Sequence, residues 1–379
     1  MCTRQLFDLL CTDIRDLSNS DVIFCVNGYN EWGNDNTQKK RILDIVTYTK
    51  LINGEEAFAT LAPVWDLLAN QGITNTPFQS LSYQEAWWTH LHPEKGNLHT
   101  IVVYHDDDPI GIACLYLLDE ILYFNGCIEE TDYLDAICAA NHVETVWTAV
   151  FDCLCSPGFP EWKGLDLCNI PEASPTRIFL PQEIERRGFS FNEDVIEVCP
   201  IIELPETFDA YLNAIDSKQR REIRRKLRRA TGAEAELVRI GKDDDLAAAV
   251  DEFLALMQKS TFEKRDWLNE GRRAVFHQTA QSALDADTLQ LLFIEVEDRK
   301  AAALFNFEYN GRIWVYNSGL DPDAFGNLSL GVVLTAKAIE LAIENGNTHF
   351  DFLRGNETYK YRFGAKDTQI YRQEIRKLA

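Results

Sequence analysis

Leu289-Gln-Leu-Leu-Phe-Ile-Glu-Val296, Ala301-Ala-Ala-Leu-Phe-Asn-Phe-Glu-Tyr309 and Ile313-Trp-Val-Tyr-Asn-Ser-Gly-Leu320 are three runs of strand length, and their reading decides the fold. The second and third are joined by Asn310-Gly311. Both residues tolerate positive φ, which makes this dipeptide the strongest short hairpin signal. Downstream, residues 328–345 carry a helical pattern that stops at Glu344-Asn345-Gly346. Residues 349–353 read as a short strand, 357–363 as a brief helix and 369–376 as a last strand. Upstream, Thr207 is placed to cap a helix over 208–231 that ends at Thr231-Gly232, and residues 235–240 alternate as a strand. Leu246, Val250, Phe253, Leu254 and Met257 share one face of a helix over 243–260, and 271–284 is a second helix. The resulting order is β-α-α-β-β-β-α-β-α-β.

The first half repeats this order more faintly. Strands are expected over 41–48, 98–105, 109–118, 121–124, 164–168 and 195–204. Helices are expected over 54–71 and 83–90, in two segments across 132–155, and over 174–187. A chain of 379 residues is about two and a half times a typical ~150-residue domain. Two tandem copies of one α/β unit, residues 42–203 and 204–379, account for both facts. They would meet near Leu204-Pro205, behind an acidic extension (1–41) with no assigned role.

Composition narrows the class. Hydrophobic residues are 46% and charged residues 26% of the chain, as in ordinary globular proteins. The longest apolar run, 110–118, is far short of the roughly 20 residues a bilayer span needs, so no membrane span is expected. The first eight residues lack a basic start followed by an apolar run, so the expected location is cytoplasmic. The ten cysteines, none beyond Cys199, are then expected as thiols, and the lone Cys153-Leu-Cys155 pair is poor evidence for zinc. Charge is uneven. Residues 1–200 hold 11 basic against 31 acidic side chains and 201–379 hold 26 against 29, so a polyanionic ligand is repelled by the first half and admitted by the second.

The second half resembles the tandem GNAT acyltransferases, the branch that includes Fem-type peptidyltransferases and the acetyltransferase-like proteins of cellulose synthesis. The matching pieces are the basic run from Ser217 to Arg229, Phe276-His277, Leu320-Asp-Pro322, the glycine-containing helix start at Leu330-Gly331, and Phe350-Asp-Phe-Leu-Arg-Gly355 with Tyr359-Lys360. The resemblance covers 204–376 well and 42–203 weakly. It implies an α/β (α+β) fold of two GNAT-like domains with mixed central sheets. It also implies acetyl-CoA or another acyl-CoA as co-substrate, no metal, and an acceptor amine or hydroxyl on a small molecule, glycan precursor or peptide.

Several segments carry the chemistry this implies. Asn327-Leu-Ser329-Leu-Gly331 opens the helix that in GNAT proteins receives the cofactor pyrophosphate. Unpaired first-turn N–H groups and the helix dipole make an anion site of Ser329, Leu330 and Gly331, while a plain cap at Asn327 or Ser329 is the structural alternative. The basic run holds eight Lys/Arg against one acid, Glu222. It reads either as a solvated helix offsetting the acidic half or as a phosphate binder, with Arg224 and Arg228 reaching the donor. A tRNA partner fits less well with the acidic first half. DNA is not expected, since there is no zinc spacing and no RNP-like aromatic pattern.

In 349–353, alternation puts His349, Asp351 and Leu353 on one side and Phe350 and Phe352 on the other. Asp351 on such a strand needs a partner, and Arg354 or Lys360 is nearest in sequence. Acyl transfer to an amine needs a proton acceptor and an oxyanion donor. The candidate acceptors are Asp351, Glu308, Asp321 and His277. The candidate donors are the backbone around Asn317-Ser318-Gly319 and the hydroxyls of Tyr316 and Tyr359. Walker, G-x-S-x-G, H-E-x-x-H and strand-linked G-x-G-x-x-G patterns are missing. The first half has Asn125-Gly-Cys-Ile-Glu-Glu130 where a phosphate loop would stand. That loop is acidic, so this half is expected to be a degenerate copy that shapes the acceptor pocket.

Overall fold

The near-continuous apolar runs along residues 289–309 suit strands covered on both faces. The computed structural model, which describes residues 24–27, 46–127 and 129–378, contains these strands within one mixed sheet. Its strands are β1 (Phe24–Asn27), β2 (Thr47–Asn53), β3 (Asn97–His105), β4 (Asp108–Leu118), β5 (Ile121–Phe124), β6 (Ile137–Cys138) and β7 (Gly164–Pro171). The remainder are β8 (Ser190–Glu203), β9 (Glu236–Arg239), β10 (Leu289–Val296), β11 (Arg299–Tyr309), β12 (Arg312–Leu320), β13 (His349–Asp351) and β14 (Lys366–Arg376). The order across the sheet is β1-β2-β3-β4-β5-β7-β14-β8-β13-β12-β11-β10-β9, with β6 beside β4.

The two halves exchange strands. β14, the end of the chain, lies between β7 and β8, and β8 lies between β14 and β13. Each half therefore has the same local plan, an antiparallel meander followed by one parallel pair, β5 with β7 and β12 with β13.

The helices are α1 (Glu56–Leu61), α2 (Trp65–Ala69), α3 (Leu81–Leu91), α4 (Val143–Leu154), α5 (Thr176–Arg187), α6 (Phe208–Ala214), α7 (Ser217–Gly232), α8 (Leu246–Ser260), α9 (Phe262–Trp267), α10 (Glu270–Asp285), α11 (Leu330–Glu344) and α12 (Thr358–Arg362). They cover three apolar cores. One core joins the halves, with Trp65, Phe78 and Trp87 packed in the same cluster as Phe253, Phe276 and Phe305. The other two lie on the opposite face, one under each half.

The differences from the sequence reading have local causes. The expected helix over 208–231 is two helices, because Asp216 turns the chain and accepts from the backbone N–H of Lys218 and Gln219, starting α7 afresh. Residues 132–142 are not helical but hold β6 and a short 3-10 turn before α4. The strand expected over 41–48 falls partly outside the described residues, and β2 shares only Thr47 and Tyr48 with it, continuing to Asn53, just before the expected helix start at 54. The extension, β1 apart, also lies outside the described residues. Cys127 and Cys168 form a disulfide, not two thiols, because parallel pairing of β5 with β7 brings the turn after β5 beside Cys168 within β7.

Candidate active site

Pairing of β12 with β13 ends after Arg312–His349, Ile313–Phe350 and Trp314–Asp351. β12 continues to Leu320 along β11, while the chain leaving β13 turns toward β8, Phe352 N–H donating to the Pro200 carbonyl at 3.0 Å. The strands splay, and α11 begins beneath the opening. A cavity of about 500 Å³ fills the wedge. Its walls include Val315, Ser318 and Gly319 of β12, Phe350 and Phe352 around β13, Tyr359 of α12, and Ser329, Leu330 and Gly331 at the start of α11. Gly319 is there of necessity: a Cβ would lie 2.6 Å from the Met257 nitrogen, where α8 crosses β12.

The α11 start is built as an anion site would be. Ser329 has φ 56° and its side chain makes no capping hydrogen bond. The first intrahelical bonds run from Val332 and Val333 to the Ser329 carbonyl, and the alternative of a plain Ser329 side-chain cap is not what forms.

On the opposite face of the same strands lies a polar cluster. Asp351 is fully buried and accepts from the Tyr133 hydroxyl at 2.9 Å and the Leu353 N–H at 2.8 Å. Burial pushes its carboxyl up to about 7 against the pull of those two donors. The expected Asp351–Lys360 pair does not exist. Lys360, 2% exposed, donates to the carbonyls of Leu353, Arg354 and Gly355 at 3.1, 2.6 and 3.0 Å and pairs with Glu357 at 2.9 Å. Arg354 turns to Asp132, with Nε–Oδ1 at 2.5 Å, and to the Glu129 carbonyl. The reason is the strand's own geometry: Asp351 faces the first half, which sequence distance along the second half does not register.

Tyr316 is the extra residue of a β-bulge, since the β11/β12 register steps from Phe305–Asn317 to Asn306–Val315. Its phenol lies 3.4 Å from that of Tyr83, and burial holds its pKa above the usual value. Tyr83 in turn donates to the Glu130 carbonyl at 2.8 Å. The acidic loop after β5 thus reaches across. Its Glu129 and Glu130 pair with Arg272, its Asp132 with Arg354, and its Tyr133 with Asp351.

The structure gathers Ser318, Gly319, Ser329, Leu330, Gly331 and Tyr359 around the cavity, and Asp351 and Tyr316 on the other face of the splayed strands. Three expected residues fall elsewhere. His277 pairs with Asp251 at 3.0 Å on the outside of α10. Arg224 pairs with Asp209 at 3.1 Å, and Arg228 is exposed on the outer face of α7. The α7 cation that lines the cavity is Lys226, because Ile223 and Ala230 turn that side of the helix inward. Of the other proton acceptors, Glu308 is engaged by Asn345 and Asn347, and Asp321, despite burial, is held below the usual range by Lys259 and Arg299.

The sequence reading missed Lys264. It sits on α9, a helix not foreseen, and donates to Asn317 Oδ1, the Ser318 carbonyl and Ser318 Oγ at 2.9, 2.7 and 3.1 Å. Burial lowers its amine to about 8, with Glu357 pulling it up and Lys360 pushing it down. The available signal was Thr261, whose hydroxyl caps α9 by accepting from the Lys264 N–H.

Comparison with known proteins agrees with this frame. Residues 217–361 match the model of the acetyltransferase (GNAT) domain. No curated protein sequence matches the chain. Among solved structures, FemX superposes with a TM-score of 0.59 at 10% identity, over 82% of this chain and 95% of that one. A conserved protein of unknown function from Bacteroides thetaiotaomicron VPI-5482 gives 0.52 at 12%, over 83% and 97%. The C-terminal domain (DUF2156) of a lysylphosphatidylglycerol synthetase-type protein from Agrobacterium fabrum gives 0.53 at 9%, over 85% and 92%. At such identities the likeness shows a shared fold, that of GNAT proteins.

Proposed function

We propose that this chain is an acyltransferase of the GNAT type, moving an acyl group, acetyl in the simplest case, from acyl-CoA to an amine or hydroxyl acceptor by direct attack in the cytoplasm. The observation that carries this reading is the open wedge between β12 and β13, with the uncapped start of α11 at its floor. Residues 204–379 would hold the donor: pantetheine along Val315, Ser318 and Gly319, and phosphates at Ser329–Gly331 and Lys226. Residues 42–203 would close the acceptor side. A lysine-like amine of pKa ~10.4 has only about 10⁻³·⁴ of its population unprotonated at pH 7, so a proton acceptor is required. Asp351, held near 7, is matched to that task, with Tyr133 as its hydrogen-bonded neighbour. The bulge at Tyr316 turns backbone out of the β11 ladder and supplies the N–H for the developing oxyanion.

Thermal shift with acetyl-CoA, longer acyl-CoAs and free CoA tests the donor. A ligand at 100 times its Kd adds about 2.7 kcal/mol, and no shift with any of them favours a non-catalytic scaffold. One observation favours a second donor, aminoacyl-tRNA. A further cavity of about 340 Å³, with Lys218, Lys226 and Arg362 in its wall, shares Lys226, Val332, Tyr359 and Phe363 with the donor cavity. A steep log–log dependence of binding on salt would support it, and a shallow one leaves the small cofactor.

A further inference from the structure

The cavity of about 340 Å³ adjoins the donor cavity, and side chains of three helices wall it. α7 lends it Lys218, Ile223 and Lys226, α11 lends Val332, and α12 lends Tyr359 and Arg362. Residues four apart share a helix face, which is why Lys218, Glu222 and Lys226 line one side together. Ile223, 3% exposed, anchors that side of α7 against the core.

The charge of this wall is one-sided. Among the described residues, the side chains of Lys218, Lys226 and Arg362 donate no hydrogen bond and enter no ion pair. The acid in the wall, Glu222, is taken by Arg225 at 2.7 Å. Elsewhere the fold pairs its half-buried arginines, Arg272 with Glu130 and Arg354 with Asp132. Three unpaired cations around one small space suit a phosphate, which accepts charge-assisted hydrogen bonds on several oxygens. The rest of the wall is apolar or aromatic. Tyr359 is 39% exposed, and its ring is held edge-on by Phe352 at 5.9 Å between centroids. Partly exposed rings of this kind stack planar bases. A bare anion would use only the cations and an apolar ligand only the ring, whereas a nucleoside phosphate uses both.

Position gives the same answer. Lys226, Val332 and Tyr359 stand in the walls of both cavities, and Val332 lies one residue beyond Gly331 at the α11 start. A ligand with its pyrophosphate on that helix start has its next group beside Lys226. We propose that this cavity binds a nucleoside phosphate, its base against Tyr359 and its phosphate on Lys218, Lys226 and Arg362. In acyl-CoA that group is the 3′-phosphoadenosine end, and the terminal nucleotide of an aminoacyl-tRNA offers the same chemistry. Assignment to CoA rests on the acyl-CoA reading; the nucleotide site does not.

The test is calorimetric titration of the full chain with adenosine 3′,5′-bisphosphate, with CoA, and with dephospho-CoA, which lacks only the 3′-phosphate. Saturable binding of the bisphosphate is expected, and CoA should bind about tenfold tighter than dephospho-CoA. Arg362→Gln should weaken the bisphosphate about tenfold and remove the preference for CoA, and Lys218→Gln should weaken it severalfold. Arg229→Gln, exposed on α7 outside the cavity wall, should leave binding unchanged. No binding of the bisphosphate overturns the proposal. So does a loss with Arg229→Gln equal to that with Arg362→Gln, which would report diffuse attraction to the basic helix. Equal affinity for CoA and dephospho-CoA overturns the assignment to CoA's 3′-phosphate while leaving the donor reading intact. Bisphosphate binding that Arg362→Gln weakens, with no binding of CoA, would keep the nucleotide site and reject acyl-CoA as the donor.

Discussion

The two halves each contain one parallel strand pair of three residue pairs, yet the first wedge is filled and the second is open. At the end of β5, Phe124 packs against Trp147 of α4 at 6.3 Å between ring centroids, with Leu134 in the same core, and the Cys127–Cys168 disulfide ties the turn after β5 to β7. Beyond β12, the corresponding space is the 500 Å³ cavity, and the helix beneath it starts with Ser329 and Gly331. One frame thus serves two ends. In the filled copy, the loop after β5 has become a clamp, sending acids and a tyrosine to Arg272, Arg354 and Asp351 of the other half. The half whose wedge is filled holds the polar face of the half whose wedge is open.

The strongest blow to this comparison comes from emptying the filled wedge. Trp147→Ala removes a fully buried ring and its hydrogen bond to Thr176, and should cost about 3–5 kcal/mol in denaturant unfolding while creating no CoA site. Stabilisation of that variant by acetyl-CoA beyond the wild-type level would show the wedges to be equivalent.

In the open copy, Asp351→Asn should lower acyl transfer about 10²-fold with the fold retained. It should also change the pH dependence of stability. Asp351 has a folded pKa near 7 against an ordinary 3.8. Its contribution is therefore complete below about pH 4 and is lost as pH rises through 7; the variant should lack that fall in equilibrium unfolding. Wild-type turnover in this variant would reject the assignment.

Lys360→Ala strips three carbonyls and Glu357 of a buried ammonium. A loss of about 2–3 kcal/mol is expected, so this residue should report on stability as well as turnover, and thermal melts would separate it from a purely catalytic role.

The smallest change is Gly331→Glu. A Cβ there meets no atom within 4 Å, and a carboxylate in the first turn of a helix favours the helix. The melting temperature should hold or rise slightly while CoA affinity falls about tenfold. Unchanged affinity would mean that the α11 start does not receive phosphate.

How much of this was legible beforehand differs from element to element. The β10–β12 meander, the Asn310-Gly311 hairpin and α11 could be read directly, because period-2 and period-3.6 patterns are local. The Asp351 face was also legible, since alternation along a strand fixes it. Asp351's partner was not: Tyr133 is 218 residues away and arrives only through the crossing loop. Lys264 and Lys226 were missed for a related reason. A six-residue helix carries little periodic signal, and a run of eight cations does not say which one points inward.

By itself, the chain's order of apolar periods determined the mixed sheet, its flanking helices and the repeat of one plan in each half. Tertiary packing alone decided that β8 and β14 trade places, that one wedge closes while the other stays open, and which acid meets which base. Periodicity is written into neighbours along the backbone, whereas strand exchange, cavity volume and charge pairing depend on distances between residues hundreds of positions apart, which no local pattern encodes.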